Sequence, residues 1–167
     1  ELLAGVGGFA GLFKTPERYK DPVLVASADG VGTKLKLAAL LGRYDTVGID
    51  CIAMNVNDVI CVGAEPIAVL DYIAVEEADP AALEQIALGL RAGAEAAGVE
   101  IPGGELAVLP ELIRGHPSPH GFDLLGFCIG LVDLDAVVTG ARIEPGDAIV
   151  GIPSSGIHSN GLTLARR

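Results

Sequence analysis

The run Ile67-Ala-Val-Leu-Asp-Tyr-Ile-Ala-Val75, then Glu-Glu-Ala-Asp79, then Pro80-Ala-Ala-Leu-Glu-Gln-Ile-Ala-Leu-Gly-Leu-Arg-Ala-Gly-Ala-Glu-Ala-Ala97 decides the fold class. Its first part is rich in Ile, Val and Tyr, which predicts a strand. Its second part predicts a helix. Asp79 stands at the N-cap and Pro80 at the first helical position. Leu83, Ile86, Ala87 and Leu90 recur at helical spacing, and Gly98 ends the element. Upstream, Val23-Leu-Val-Ala26 reads as a buried strand that runs out in Asp29-Gly-Val-Gly32. Residues 33–41 have helical composition and stop at Gly42, and a further helix spans about 50–62 before Gly63. Downstream, 99–119 is broken by Pro and Gly, with a short strand before Gly103. Residues 122–132 form a long apolar strand whose Gly126 and Gly130 mark bends or close backbone approach. Pro145-Gly-Asp147 is a turn feeding a strand over 148–152, and a loop over 153–161 leads into a last helix at Leu162. The order β-α-α-β-α-β-β-α predicts an α+β fold, with helices on one face of a mostly antiparallel or mixed sheet, over a doubly wound one.

Composition narrows the function. The 167 residues are 50% hydrophobic and 20% charged, which excludes disorder. Three cysteines are too few, and odd in number, for a disulfide scaffold. No uncharged apolar run reaches the ~18 residues of a membrane span. Eleven Lys and Arg against 22 Asp and Glu give a formal charge of −11, which argues against DNA or RNA as partner. Glycine, at 23 residues, is nearly twice its ~7% share of ordinary proteins. The chain opens on Glu1 with no signal segment, and its last helix is cut short, so a part of a longer, cytoplasmic protein is expected.

Four places carry residues suited to chemistry. In Asp29-Gly-Val-Gly-Thr-Lys34 the glycines Gly30 and Gly32 let a ligand approach the backbone, and the helix that follows presents free N–H groups. Thr33 adds a hydroxyl and Lys34 a cation, both of which hold phosphate oxygens. The run lacks the four-residue spacer of a P-loop, and a plain Gly-rich turn with a solvated lysine stays open. On the second helix, Asn55, Asn57 and Asp58 crowd polar groups among apolar residues, and one helical turn puts Asn55 and Asp58 on one side. Gly103-Gly104-Glu105 is weak alone, an exposed acid on a turn being equally good. It gains interest because Mg²⁺ takes one or two carboxylates beside phosphate oxygens, and Asp29, Asp58 and Glu105 form such a set. Last, Ser154-Ser155-Gly156-Ile157-His158-Ser159-Asn160-Gly161 is a small-residue loop before a helix, an anion-binding composition. His158 is the one histidine there, since His116 and His120 lie in a Pro-rich surface stretch; a capping or packing histidine is the plainer alternative. Cys51, Cys61 and Cys128 have no metal-ligand spacing and read as inert thiols.

Taken in order, these strings resemble one family, phosphoribosylformylglycinamidine cyclo-ligase (aminoimidazole ribonucleotide synthetase) of purine biosynthesis. The likeness is carried by Gly7-Gly-Phe9, Asp29-Gly-Val-Gly-Thr-Lys34, Gly48-Ile-Asp-Cys-Ile-Ala-Met-Asn-Val-Asn-Asp58, Gly63-Ala-Glu-Pro66, Leu70-Asp-Tyr72, Gly103-Gly-Glu105, Gly126-Phe-Cys128 and Ser154-Ser-Gly-Ile-His-Ser-Asn-Gly161. It implies an amino-terminal ATP-binding and dimerisation domain over 1–153, with 154–167 beginning a carboxy-terminal domain. It also implies a homodimer whose sheets close into a shared barrel. By position, Asp29, Asp58 and Glu105 would hold Mg²⁺, and Gly30, Gly32, Thr33 and Lys34 would face ATP, joined by Asn55 and Asp71. Ser154, Ser155, Gly156, His158, Ser159 and Asn160 would lie near the substrate, formylglycinamidine ribonucleotide. Lys34 and His158 are the candidates for a direct part in the reaction. That reaction is ATP-dependent ring closure: the formyl oxygen is phosphorylated, a nitrogen attacks the resulting carbon, and phosphate leaves. Another ATP-using member of the superfamily, a small-molecule kinase or an amidotransferase-type synthetase, is the alternative. One stretch departs from the family. Its Thr-Ala-Glu-Met-Pro-Gly after Gly-Gly-Glu is here Leu106-Ala-Val-Leu-Pro-Glu111, without the hydroxyl and the second carboxylate.

Overall fold

The computed structural model describes Ala10 and residues 13–167; the Gly7-Gly-Phe9 string lies outside the described residues. The elements are β1 (Pro22–Gly30), α1 (Lys34–Leu41), α2 (Val47–Cys61), β2 (Glu65–Val75), α3 (Pro80–Ala97), β3 (Gly104–Val108), β4 (Phe122–Asp133), a 3₁₀ turn (Leu134–Ala136) and α4 (Leu162–Ala165). The α3 helix has the bounds its capping residues predict. Asp79 Oδ1 accepts the Ala81 N–H at 2.9 Å, and Gly98 closes the helix in the left-handed conformation. Among the described residues no helix is long and apolar enough to cross a membrane.

The strands form one four-stranded sheet in the order β1-β4-β2-β3. β4 runs antiparallel to both β1 and β2, and β2 runs parallel to β3. The α+β expectation therefore stands, with a mixed sheet. Three expectations about the strands change. β1 continues through Asp29 and Gly30, because β4 pairs with it as far as Gly30↔Leu125, so both residues are strand and not loop. The stretch read as broken contains β3, and Gly104-Glu105 is the start of that strand, paired as Asp71↔Gly104 and Tyr72↔Glu105. The strand expected over 148–152 does not form. Ile149 and Ile152 are 99% and 89% exposed, with no neighbouring strand to pair their backbone or cover their side chains.

One face of the sheet carries the core. Val69 and Ile73 of β2 and Leu124 and Cys128 of β4 are buried against Cys51, Ile52 and Val59 of α2, and Ile86 and Leu90 of α3 close the outer side. The alternate residues form a face that no helix covers. Leu24 on that face is 67% exposed and Phe127 38%. α2 begins at Val47, earlier than its composition predicts, because Gly48 is a contact and not a breaker. It packs on α3 so closely that a Cβ would sit 2.6 Å from the Gly89 carbonyl carbon, while one on Gly89 would sit 2.6 Å from the Asp45 oxygen. Gly93 meets Ile52 in the same way, with 2.9 Å to its Cβ. Small residues thus let two helix backbones touch.

Gly48→Ala should therefore cost about 3 kcal/mol, the upper range for overpacking. Gly103→Ala, where a Cβ meets nothing within 4 Å, should be near neutral. Urea unfolding of the two variants checks the contrast.

Candidate functional site

The register of the sheet sets the site. Asp29 pairs with Gly126, Gly126 with Asp71, and Asp71 with Gly104, so the four residues make one row across β1, β4, β2 and β3. Residues in such a row share a face, and this one lies under the first turns of α2. Two carboxylates thus flank a backbone with no side chain. Both glycines are required. A Cβ on Gly126 would lie 2.6 Å from Asn55 Nδ2, and one on Gly104 would lie 2.7 Å from Asp71 Cγ.

Asn55, fully buried, pins the row. Its Oδ1 accepts the Asp29 N–H at 2.9 Å, and its Nδ2 donates to Asp29 O at 3.2 Å and Cys51 O at 2.8 Å. Both amide donors are spent inside the protein, so Asn55 positions Asp29 and does not face a ligand, a correction to its expected place among the ATP contacts. One turn on, exposed Asp58 accepts from the Ser27 hydroxyl at 3.0 Å, so both residues face β1 as their spacing predicts.

Charge concentrates at the same place. The Cys51 thiol is pushed up to about 12, by burial first and then by Asp71, Asp29 and Asp50. Burial also raises the half-buried Asp71 carboxyl, which has no ion pair among the described residues. The expected trio Asp29, Asp58 and Glu105 is not gathered within this chain. Glu105 is on the opposite edge strand, three inter-strand spacings or about 14 Å from β1, and it alternates onto the uncovered face. Among the described residues no three His, Cys, Asp or Glu cluster as a metal cage.

After Gly30 the chain turns through Gly32, whose φ of 68° falls in the left-handed region that glycine suits, and enters α1. Lys34 Nζ lies 2.6 Å from Asp50 Oδ2, a pair only 20% and 22% exposed. Asp50 Oδ1 accepts from the Ser159 hydroxyl at 3.2 Å, and Thr33 Oγ1 meets Thr163 Oγ1 at 2.8 Å. The two loops singled out by composition, residues 29–34 and 154–161, therefore meet across Asp50. Within the second loop, Ser154 Oγ lies 2.8 Å from His158 Nε2 and donates to Gly156 O at 2.7 Å. Ser155 and Asn160 are exposed on the same loop.

Residues 10–132 match the family model described as AIR synthase related protein, N-terminal domain. The chain belongs to this family.

Relatives at about half identity share the family. The chain is 52% identical over 166 residues to phosphoribosylformylglycinamidine cyclo-ligase of Symbiobacterium thermophilum, covering 99% of itself and 46% of that protein. It is 56% identical over 144 residues to the protein of that name from Pyrococcus furiosus, covering 86% and 41%. The chain thus spans about half the length of the curated relatives it matches. In fold it is similar to thiamine-monophosphate kinase from Stenotrophomonas maltophilia (TM-score 0.64, 22% identity, 87% of this chain and 42% of that one). It is similar also to hydrogenase maturation protein HypE in complex with ATP (TM-score 0.60, 22% identity, 83% and 38%).

Within this AIR synthase N-terminal domain, sequence reasoning passed over Asp50, Ser27 and Gly126 as site residues. Asp50 was findable, since Asp50, Met54 and Asp58 recur every four residues along one side of α2. Its pairing with Lys34, 16 positions away, leaves no local trace. The cysteines fit the inert reading at Cys51 and Cys128, which are buried, whereas Cys61 is exposed.

Asp71 gives a pH test. A carboxyl raised by burial is disfavoured as a carboxylate in the folded state, so stability falls as pH rises from the ordinary aspartate pKa through the raised one. Asp71→Asn removes that loss. The variant should unfold at higher denaturant than the parent at pH 7, and the gap should close near pH 3, as urea midpoints at the two pH values will show.

Proposed function

We propose that the longer protein carrying this chain is an ATP- and Mg²⁺-dependent cyclo-ligase that closes formylglycinamidine ribonucleotide to aminoimidazole ribonucleotide in purine biosynthesis, and that this chain is its nucleotide-binding and dimerisation half. The observation that carries the reading is the meeting of the Asp29–Lys34 turn with the Ser154–Gly161 loop across Asp50, in a chain about half identical to proteins named for that reaction. ATP binding is supported further by HypE, a protein of the same fold whose structure holds ATP.

The residues suit the chemistry. Mg-ATP supplies, when bound, the phosphoryl group that activates the formyl oxygen. Lys34 is held in position by Asp50 before any ligand arrives, so its ammonium meets phosphate oxygens with little side-chain entropy left to lose. Gly30 and Gly32 let those oxygens approach the backbone N–H groups, and Thr33 adds a donor. Mg²⁺ keeps water and phosphate oxygens in its shell and needs only one or two carboxylates. Asp29 and Asp71 would supply them here, flanking bare Gly126, with Asp58 beside them. Asp71 is the better fitted of these, being a partly buried carboxylate with no cation of its own among the described residues. Ser154, His158, Ser159 and Asn160 would orient the ribonucleotide, so that proximity and charge neutralisation carry the ring closure without a covalent nucleophile.

The uncovered sheet face supports the homodimer. Leu24, Ala26, Ala28 and Phe127 leave an apolar surface whose natural cover is the same face of a second copy, the two sheets closing into a barrel.

Lys34→Ala in the full-length protein should lower kcat/KM by 100-fold or more, about 3 kcal/mol of transition-state stabilisation. Its circular dichroism and melting should stay close to wild type, and wild-type turnover in this variant would sink the phosphate role. In sedimentation at micromolar concentration the chain should run as a dimer; a monomer, or turnover by the 167-residue chain alone, would count against the division of roles.

A further inference from the structure

A cleft of about 420 Å³ opens beside the Gly32-Thr33 turn, between α1 and the loop that joins β3 to β4. Lys36, Arg114, His116 and His120 line it, with the hydroxyl of Thr33 at one end. The chain as a whole has half as many Lys and Arg as Asp and Glu, and only three histidines. Two of those histidines and two of the cations meet here. Among the described residues Asp123 is the only acid on the wall, and its Oδ1 is occupied by the Leu124 N–H at 3.0 Å. Among the described residues, the side chains of Lys36, Arg114, His116 and His120 make no hydrogen bond or ion pair within the protein.

The loop is built to hold still. Glu76 accepts the Gly115 N–H at 2.7 Å, the Gly121 N–H at 3.3 Å and the Ser118 hydroxyl, so one carboxylate clamps both ends of the loop and its middle. These bonds, with Arg114 nearby, hold the Glu76 carboxyl below the usual range. Gly115 and Gly121 touch backbone to backbone; a Cβ on Gly121 would lie 2.8 Å from Gly115 Cα. Since Glu76 does the anchoring, none of the four basic side chains is needed to hold the loop together.

We propose that this cleft binds a phosphate dianion, the phosphomonoester end of a small phosphorylated metabolite, through Lys36, Arg114, His116 and His120. Arg114 supplies the planar fork that matches phosphate oxygens, Lys36 a point charge, and each imidazole an N–H donor in either protonation state. The cleft is large enough for a phosphate with a pentose behind it. The apolar side chains of Leu35 and Ile113 on the same wall offer that sugar an apolar surface. Gly32 and Thr33, which the nucleotide reading sets against ATP, border this cleft, so the two sites are neighbours; Lys34 is not on its wall.

The test is histidine ring NMR on the 167-residue chain, titrated separately with ribose 5-phosphate and with inorganic phosphate, and with chloride as the ionic-strength control. Saturable shifts at His116 and His120, with His158 unmoved, are expected. Arg114→Ala and Lys36→Ala should each weaken binding about tenfold, and both sites are exposed, so the fold should survive, as core methyl shifts will verify. Lys34→Ala should leave the affinity within about twofold, which separates this cleft from the nucleotide site. Tighter binding of ribose 5-phosphate identifies a sugar phosphate as the ligand, and equal binding identifies free phosphate. Absence of a saturable shift with both probes at about 10 mM overturns the proposal. So does binding that persists unchanged in the Arg114→Ala, Lys36→Ala double variant.

Discussion

The structure depends on one buried amide. Asn55 lies between α2 and the sheet with no exposure, bonded to the backbone of Asp29 on both sides and to the helix carbonyl of Cys51. An amide buried without partners costs several kcal/mol, so the site tolerates Asn55 only where all its partners are in register. A shift of β1 by one residue would swap Asp29 for a neighbour on the opposite face. The position of the helix, the register of the edge strand and the direction of the Asp29 carboxylate are therefore one decision.

Around that amide the chain sorts its charge. Three carboxylates, Asp71, Asp29 and Asp50, lie within electrostatic reach of Cys51, and among the described residues one ammonium, Lys34 of α1, pairs with one of them, Asp50. A partly buried pair of this kind contributes less as net stability than as fixed geometry, because desolvating the two ions offsets much of their attraction. Its second partner, Ser159, lies 109 positions from Asp50. Through one carboxylate, the start of α1 and the loop before α4 are held in the same frame.

Local rules were enough for part of this. The α3 helix is written in Asp79, Pro80, its apolar spacing and Gly98, all of which act within a turn or two of helix. The composition of residues 29–34 and 154–161 also marked them as candidates, although not the fact that they meet. What escaped depends on pairing across the sheet. That Asp71 and Asp29 share a row, and that Glu105 falls on the other face, follows from the registers Asp71↔Gly126 and Tyr72↔Glu105, which no window of sequence contains. The glycine excess divided differently as well. Gly48, Gly89 and Gly93 serve helix contact, a use indistinguishable in sequence from a weak point in a helix. The run over 148–152 has the composition of a strand and lacks a neighbour, and a strand is a property of two segments.

Gly104 carries a consequence of its own. The space a methyl group would take there is filled by the Asp71 carboxylate. The two positions, on adjacent parallel strands, thus behave as a single inherited unit. The Asp71 carbonyl oxygen closes the same space, 2.7 Å from where that methyl would sit, so position 104 is held to glycine by the strand and by the acid together. Gly126, one strand over, is held in a similar way by the Asn55 amide, so the row of the site is kept bare by the polar side chains that border it.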